Sequence, residues 1–189
     1  DGSTLTVTPD SNYNGDILVS VTVSDGQAED SDSFTLTVNA VNDAPIIVSI
    51  ADQTIDEDTL LTLELSASDV DGDDLTYSAQ VDGNGSVSVD DSTLTVTPDA
   101  DYNGETEVTI EVSDGEYIST TTFTLTIYPV NDAPVIASIA DQDIDEDTSL
   151  TLQLTANDID GDDLTYFAQV DDNGSASVEG STLTVTPDS

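Results

Sequence analysis

Apolar and polar residues alternate along most of this chain with a period of two. Leu94 and Val96 alternate with threonines, as do Phe123, Leu125 and Ile127. Val108, Ile110 and Val112 repeat the pattern, and so do Leu61, Leu63 and Leu65, then Leu75, Tyr77 and Ala79. Such alternation places every second side chain on one face of a strand. No window shows a 3.6-residue period. Thr, Val and Ile suit a pleated, half-buried surface, and Asp, Asn and Gly fill the gaps between runs as turn residues. The pattern predicts strands A at 46–50, B at 60–67, C at 74–80, D at 86–90, E at 92–98, F at 105–113 and G at 119–128.

The same pattern returns after 89 residues. TLTVTPD places its proline at Pro9, Pro98 and Pro187, two gaps of 89. VNDAP begins at Val41 and Val130, DEDT at Asp56 and Asp145, YNG at Tyr13 and Tyr102, and SDG at Ser24 and Ser113, all with that spacing. Residues 1–100 and 90–189 agree at roughly two-thirds of positions. A period of this length marks a tandem array of structural units. Seven short strands per period predict an all-β fold of Ig-like, cadherin-like Greek-key β-sandwich repeats joined head to tail. With VNDAP as the linker, residues 1–40 are the C-terminal part of a preceding repeat (strands E–G). Residues 41–129 are then a complete repeat, and 130–189 the N-terminal part of a following one (strands A–E). The chain reads as a window from a longer array. Tyr102 and Tyr13 precede strand F, where a hydroxyl can tie the crossover to backbone. Tyr77, Tyr166, Phe34 and Phe123 fall at core-type positions.

Composition changes this picture in one respect. The 189 residues include 41 Asp plus Glu and no Lys, Arg or His, a formal charge of −41, with no Cys. Low hydrophobicity with high net charge is a signature of disorder, but here the apolar residues are patterned and the acids clustered. The missing types exclude Ser-His-Asp and Cys-His nucleophiles, Schiff-base lysines, arginine phosphate clamps and thiolate or imidazole metal sites. A paired-carboxylate hydrolase stays formally open, although nothing in the sequence favours an enzyme. Nucleic acid and anionic membrane surfaces are repelled by such a field. No run of about 20 apolar residues predicts a membrane span, and no signal-peptide pattern opens the chain.

The acids gather in turns. Asp69-Val70-Asp71-Gly72-Asp73-Asp74 recurs as Asp158-Ile159-Asp160-Gly161-Asp162-Asp163. Closely spaced aspartates supply several oxygens to a hard cation such as Ca²⁺, which takes six to eight. An EF-hand needs Gly at its sixth position and flanking helices; Asp74 and strands stand here instead. In a head-to-tail sandwich, the A–B and E–F turns of one repeat meet the linker and the B–C turn of the next. One junction near Asp132 is predicted to gather Asp56, Glu57, Asp58, Asp99, Asp101, Asn131, Asp132, Asp158, Asp160 and Asp162. The junction near Asp43 takes Asp10, Asn42, Asp43, Asp69, Asp71 and Asp73. Unneutralised, such clusters repel by on the order of several kcal/mol at an effective dielectric near 20, and the chain has no basic residue to offset them.

VNDAP, DEDT, DxDGDDLTY, TLTVTPDxxYNG and SDG, in this order, resemble the cadherin-like tandem repeats of large secreted, RTX-type bacterial surface adhesins. The chain departs from true cadherins in lacking the linker's second Asn and its neighbouring acid, and in carrying Pro-Asp-x-x-Tyr at the E–F position. The resemblance implies calcium between consecutive domains, an extracellular or cell-surface location, and a stalk that projects a distal binding domain. Two further readings stand beside this calcium-stiffened extender. One is a self-assembling extracellular filament in which half-repeats from neighbouring copies complete one another. The other, a carbohydrate-binding module, fits least, since the chain has no Trp, six Tyr and three Phe. Asn84-Gly85-Ser86 and Asn173-Gly174-Ser175 match a glycosylation sequon but read first as turns.

Overall fold

The computed structural model describes residues 3–188, and these form strands, turns and loops without a helix. The first part holds one hairpin, β1 (Gly15–Ser24) with β2 (Glu29–Val38). The middle repeat follows as β3 (Ile46–Ile47), β4 (Gln53–Asp56), β5 (Leu61–Glu64), β6 (Ala67–Ser68), β7 (Thr76–Val81) and β8 (Gly85–Asp90). It ends with β9 (Thr93–Pro98), β10 (Gly104–Ser113) and β11 (Ile118–Tyr128). The third part contributes β12 (Val135–Ile136), β13 (Leu150–Gln153), β14 (Ala156–Asn157), β15 (Gly174–Glu179) and β16 (Thr182–Pro187).

The middle repeat is a two-layer sandwich. One sheet has the order β4-β11-β10-β7, and the other β5-β9-β8, with β3-β6 as a short two-stranded extension. Alternation dictates the core. Leu94 and Val96 of β9 face Val108 and Ile110 of β10 and Phe123, Leu125 and Ile127 of β11, closed by Leu61 and Leu65. The threonines between them point outward. Each fully buried aliphatic side chain contributes about 1.5–3 kcal/mol, so this cluster is what holds the repeat folded.

Two strand assignments are corrected by the structure. Strand A does not run from 46 to 50. Only Ile46 and Ile47 pair with β6, after which the chain crosses to the opposite sheet and Gln53–Asp56 runs parallel to β11. The crossing is pinned where the Asp52 carboxylate accepts the Thr124 N–H at 2.8 Å. Strand B breaks after Glu64 and resumes at Ala67, because Leu65 N–H turns to the Ser92 carbonyl at 2.7 Å. Tyr102 does tie its crossover to backbone, donating its hydroxyl to the Glu105 carbonyl at 3.0 Å, and Tyr13 does the same to Asp16 at 2.9 Å. In both cases the acceptor lies three residues downstream.

The outer parts have the same sequence pattern with fewer neighbours. Val23 is 68% exposed where its counterpart Val112 is fully buried, and Phe34 is 47% exposed against 3% for Phe123. Phe34 is therefore not a core residue, since no second sheet covers its hairpin. In the third part, residues 142–145 and 165–170 align with β4 and β7 but form no strand. Both counterparts pair with β10 or β11 in the middle repeat, and this chain holds no third copy of that hairpin.

Candidate metal centre at the repeat junctions

The Asp-x-Asp-Gly turns organise themselves first. The Asp69 carboxylate accepts the N–H groups of Asp71 at 2.8 Å and Gly72 at 3.1 Å, and Gly72 takes the left-handed conformation that closes the turn. The Asp158 carboxylate likewise accepts from Asp160 at 3.1 Å and Asp162 at 3.2 Å. Each turn thereby presents its second aspartate to the linker. Asp43 N–H donates to Asp71 at 2.8 Å, and Asp132 N–H to Asp160 at 2.7 Å. The two linkers dock alike.

Glu57 is the anchor of the junction near Asp132. Period-two alternation continues from Ile55 and turns Glu57 inward, leaving it 3% exposed. Its two oxygens are each met, one by Val130 N–H at 2.6 Å and the other by the Asn103 amide at 3.2 Å. Asp58 and Asp101, both at positive φ, lie together, with Asp101 N–H on the Asp58 carboxylate at 3.2 Å.

These contacts gather five acids around Asp132. Carboxylate oxygens of Glu57, Asp132 and Asp160 lie within 4.8 Å of one another, and so do those of Asp58, Asp101 and Asp132. Two oxygens on opposite sides of one Ca²⁺, each at about 2.3–2.6 Å, are separated by about 5 Å. Both groups therefore fit around single ions with Asp132 shared. Asp132 Oδ2 is buried and has no hydrogen-bond partner. Burial pushes the Asp132 carboxyl above the usual range, and the charges of Asp101, Asp160, Asp58 and Glu57 push it further.

A third group lies at the preceding junction. Asp69, Asp71 and Asp73 meet the same 4.8 Å limit, and Asp69 Oδ2 is also buried without a partner. Asp73 is pushed up by burial, then by Asp69, Asp71, Asp114 and Asp74. Asp114 moves the other way. The Tyr117 N–H lowers it most, burial opposes, and the Glu116 N–H and Asn42 amide lower it further. Asp10, Asn12, Asp43 and Asp71 line an open cleft of about 410 Å³ at this junction.

The structure thus brings together Glu57, Asp58, Asp101, Asp132 and Asp160, and separately Asp69, Asp71 and Asp73. Asp43 joins the second site through its N–H on Asp71, and Asn42 through Asp114 at 2.9 Å. Among the described residues, Asp56, Asp99, Asp158 and Asp162 enter neither carboxylate group around Asp132, and Asp10 enters none. Asp56 ends β4 on its exposed face, while Asp99 and Asp10 shape their loops through carbonyls that accept from Tyr102 and Tyr13. The Asn131 amide donates to the Asp132 carbonyl at 2.7 Å. Sequence reasoning missed Asn103, Asn12 and Asp114. Asn103 belongs to the repeated YNG, Asp114 to the repeated SDG, and Asn12 stands 89 residues before Asp101, so the period was the available signal.

The bacterial Ig domain model matches residues 42–127 and 131–189. Chitinase A of Pseudoalteromonas piscicida is 29% identical over 133 residues, which cover 66% of this chain and 16% of that protein. Among solved structures, the endo-fucoidan hydrolase MfFcnA4 of glycoside hydrolase family 107 is similar at a TM-score of 0.40 and 22% identity, over 95% of this chain and 30% of its own. Human protocadherin-24 EC1-2 is similar at 0.39 and 18%, over 77% of this chain and 78% of its own.

Proposed function

We propose that this chain, which belongs to the bacterial Ig domain family, is a calcium-stiffened extender in a secreted or cell-surface protein of the adhesin type, structural rather than catalytic. The observation that carries the reading is the Asp132 junction. Five carboxylates from two repeats and the linker converge there, one oxygen is buried without a partner, and the chain holds no basic side chain. Ca²⁺ supplies the missing positive charge and joins Glu57 and Asp58 of one repeat, Asp132 of the linker and Asp160 of the next. A linker held from three sides cannot swing, so binding converts a string of domains into a rod.

Extracellular modules bind calcium with dissociation constants of roughly 10⁻⁴–10⁻³ M. The test is thermal unfolding in chelator and in millimolar calcium. At a hundredfold excess over Kd one site adds about 2.7 kcal/mol, which raises the midpoint of a domain this size by on the order of 10 °C. An unchanged midpoint removes calcium from the account. The 29% identity to a stretch of chitinase A supports a second setting for the same role, a spacer beside a polysaccharide-active unit.

A further inference from the structure

The first hairpin and the third part leave uncovered the two sides of a contact that the middle repeat closes. In the middle repeat β10 pairs with β7 from Val108↔Val81 to Ser113↔Thr76, and β11 pairs with β4 from Leu125↔Gln53 to Tyr128↔Asp56. A step of 89 residues carries β10–β11 onto β1–β2, and carries β7 and β4 onto 165–170 and 142–145. Those last two segments form no strand, and Val21, Val23 and Phe34 on the inner face of the hairpin are exposed. We propose that the two surfaces are partners between copies of this chain: β1–β2 of one copy completes the third repeat of a second copy, head to tail.

The middle repeat supplies the register. Val19 comes opposite Val170 of the second copy, Val21 opposite Ala168 and Val23 opposite Tyr166, while Leu36 and Val38 run parallel to Gln142 and Ile144. The Thr35 N–H meets Asp141 as Thr124 N–H meets Asp52. In the middle repeat this contact buries Val108, Ile110, Val112, Phe123, Leu125 and Ile127 almost completely. It is a domain core cut in half, the kind of surface that obligate assemblies bury.

Charge favours joining along β1. At the closed seam Glu111 stands opposite Ser78, with Glu107 on the same face of β10. The first hairpin has Thr22 and Leu18 at those two positions, and opposite Thr22 comes Phe167 in place of Ser78. Two carboxylates are gone and an aromatic is gained, in a chain of charge −41, where two copies must meet. Phe167 is 89% exposed and Leu18 71%, and a β-branched residue opposite an aromatic is a favourable cross-strand pair. The tip of β2 runs the other way. Asp30 replaces Ser119, whose hydroxyl donates to the Pro45 carbonyl, so that bond is lost and the seam is held from the β1 side.

Joining also completes the junction at Asp43. Glu146 and Asp147 of the second copy, counterparts of Glu57 and Asp58, arrive beside the cleft lined by Asn12, Asp43 and Asp71. Val41 N–H then meets Glu146 as Val130 N–H meets Glu57. This coupling of assembly to calcium rests on the function proposed above; the apolar contact does not.

Sedimentation velocity on the 189-residue chain, with calcium and with chelator, tests the proposal. The chain is expected to form linear oligomers that lengthen with concentration. Val21→Asp removes the hairpin surface and Leu183→Asp the opposing one, so each variant alone stays monomeric while an equimolar mixture forms a dimer and stops there. Phe167→Asp, on the outer face and harmless to folding, weakens association at least tenfold. A wild-type chain that stays monomeric at high concentration in both buffers overturns the inference, as does a Val21→Asp variant that still oligomerises alone. Association that is indifferent to calcium keeps the seam and sinks the calcium reading; a calcium-raised midpoint in a strict monomer does the reverse.

Discussion

The hairpins β1–β2 and β10–β11 share one register, with Val19 opposite Phe34 in the first and Val108 opposite Phe123 in the second. Their backbone ladders are equivalent, yet only the second is buried. The ladder depends on the two strands alone, whereas burial depends on a second sheet that the first hairpin lacks within this chain. An isolated two-stranded hairpin is marginal in water. The difference between the two is therefore a measure of what the sandwich partner contributes, and each prediction below tests that difference at one position.

The largest effect is expected in the core. Leu125→Ala leaves a cavity among fully buried neighbours and should cost about 2–5 kcal/mol, lowering the midpoint of the middle repeat by on the order of 10 °C. Leu36→Ala, at the equivalent place on β2, should leave that midpoint within a degree or so under dilute conditions in which the chain is monomeric. Differential scanning calorimetry resolves the two. Equal losses in a monomer would show that the first hairpin is packed against something in its own chain.

A second contrast separates charges by their surroundings. Asp132 is raised by burial and by its acidic neighbours, while Asp25 is lowered by the N–H groups of Ala28 and then Gln27. In chelator, Asp132 and Asp73 stabilise the fold below the ordinary aspartate value of 3.8, and that contribution is lost as pH rises through their raised folded values. Asp25 and Asp114 behave oppositely: their contribution is present above 3.8 and lost as pH falls through their lowered folded values. The chelated protein should melt highest in the acidic range near that value and lower at pH 7. Asp132→Asn removes the penalised charge, so it should raise the midpoint by a few degrees in chelator at pH 7 and abolish most of the rise that calcium produces. A variant that loses stability in both buffers would mean that Asp132 serves the fold and not a cation.

How much of this was legible follows from where each signal resides. Ile110 and Leu125 declare themselves by alternation, because a strand with one buried face must alternate whatever its partner. β4 does not, since Gln53-Thr54-Ile55-Asp56 is short and polar, and its strand state comes from the parallel ladder to β11 and from Asp52 on Thr124. The acids were legible as a population at the junctions and not as individuals. Asp56 and Glu57 are adjacent, but alternation turns one outward and the other into contact with Asn103 and Val130, 46 and 73 residues away. Asp158 looked like a ligand, yet its carboxylate is occupied by the N–H groups of its own turn. Proximity in sequence found the turn; only the fold decides which oxygen leaves it.

The smallest effect lies in the paired tyrosines, and it sharpens the comparison most finely. Tyr102 and Tyr13 make the same hydroxyl-to-carbonyl bond over the same three residues. Tyr102 also packs against the buried core, over Gly104, whose positive φ lets the backbone pass beneath the ring. Tyr102→Phe loses one hydrogen bond of about 0.5–1.5 kcal/mol and should lower the middle repeat's midpoint by several degrees at most. Tyr13→Phe loses the same bond where no core lies beside it, so its effect should appear as faster amide exchange at the start of β1 with the global midpoint unmoved. If Tyr13→Phe lowers that midpoint as far as Tyr102→Phe, the first hairpin and the middle repeat unfold as one cooperative unit, and the contrast between the two hairpins is one of exposure alone.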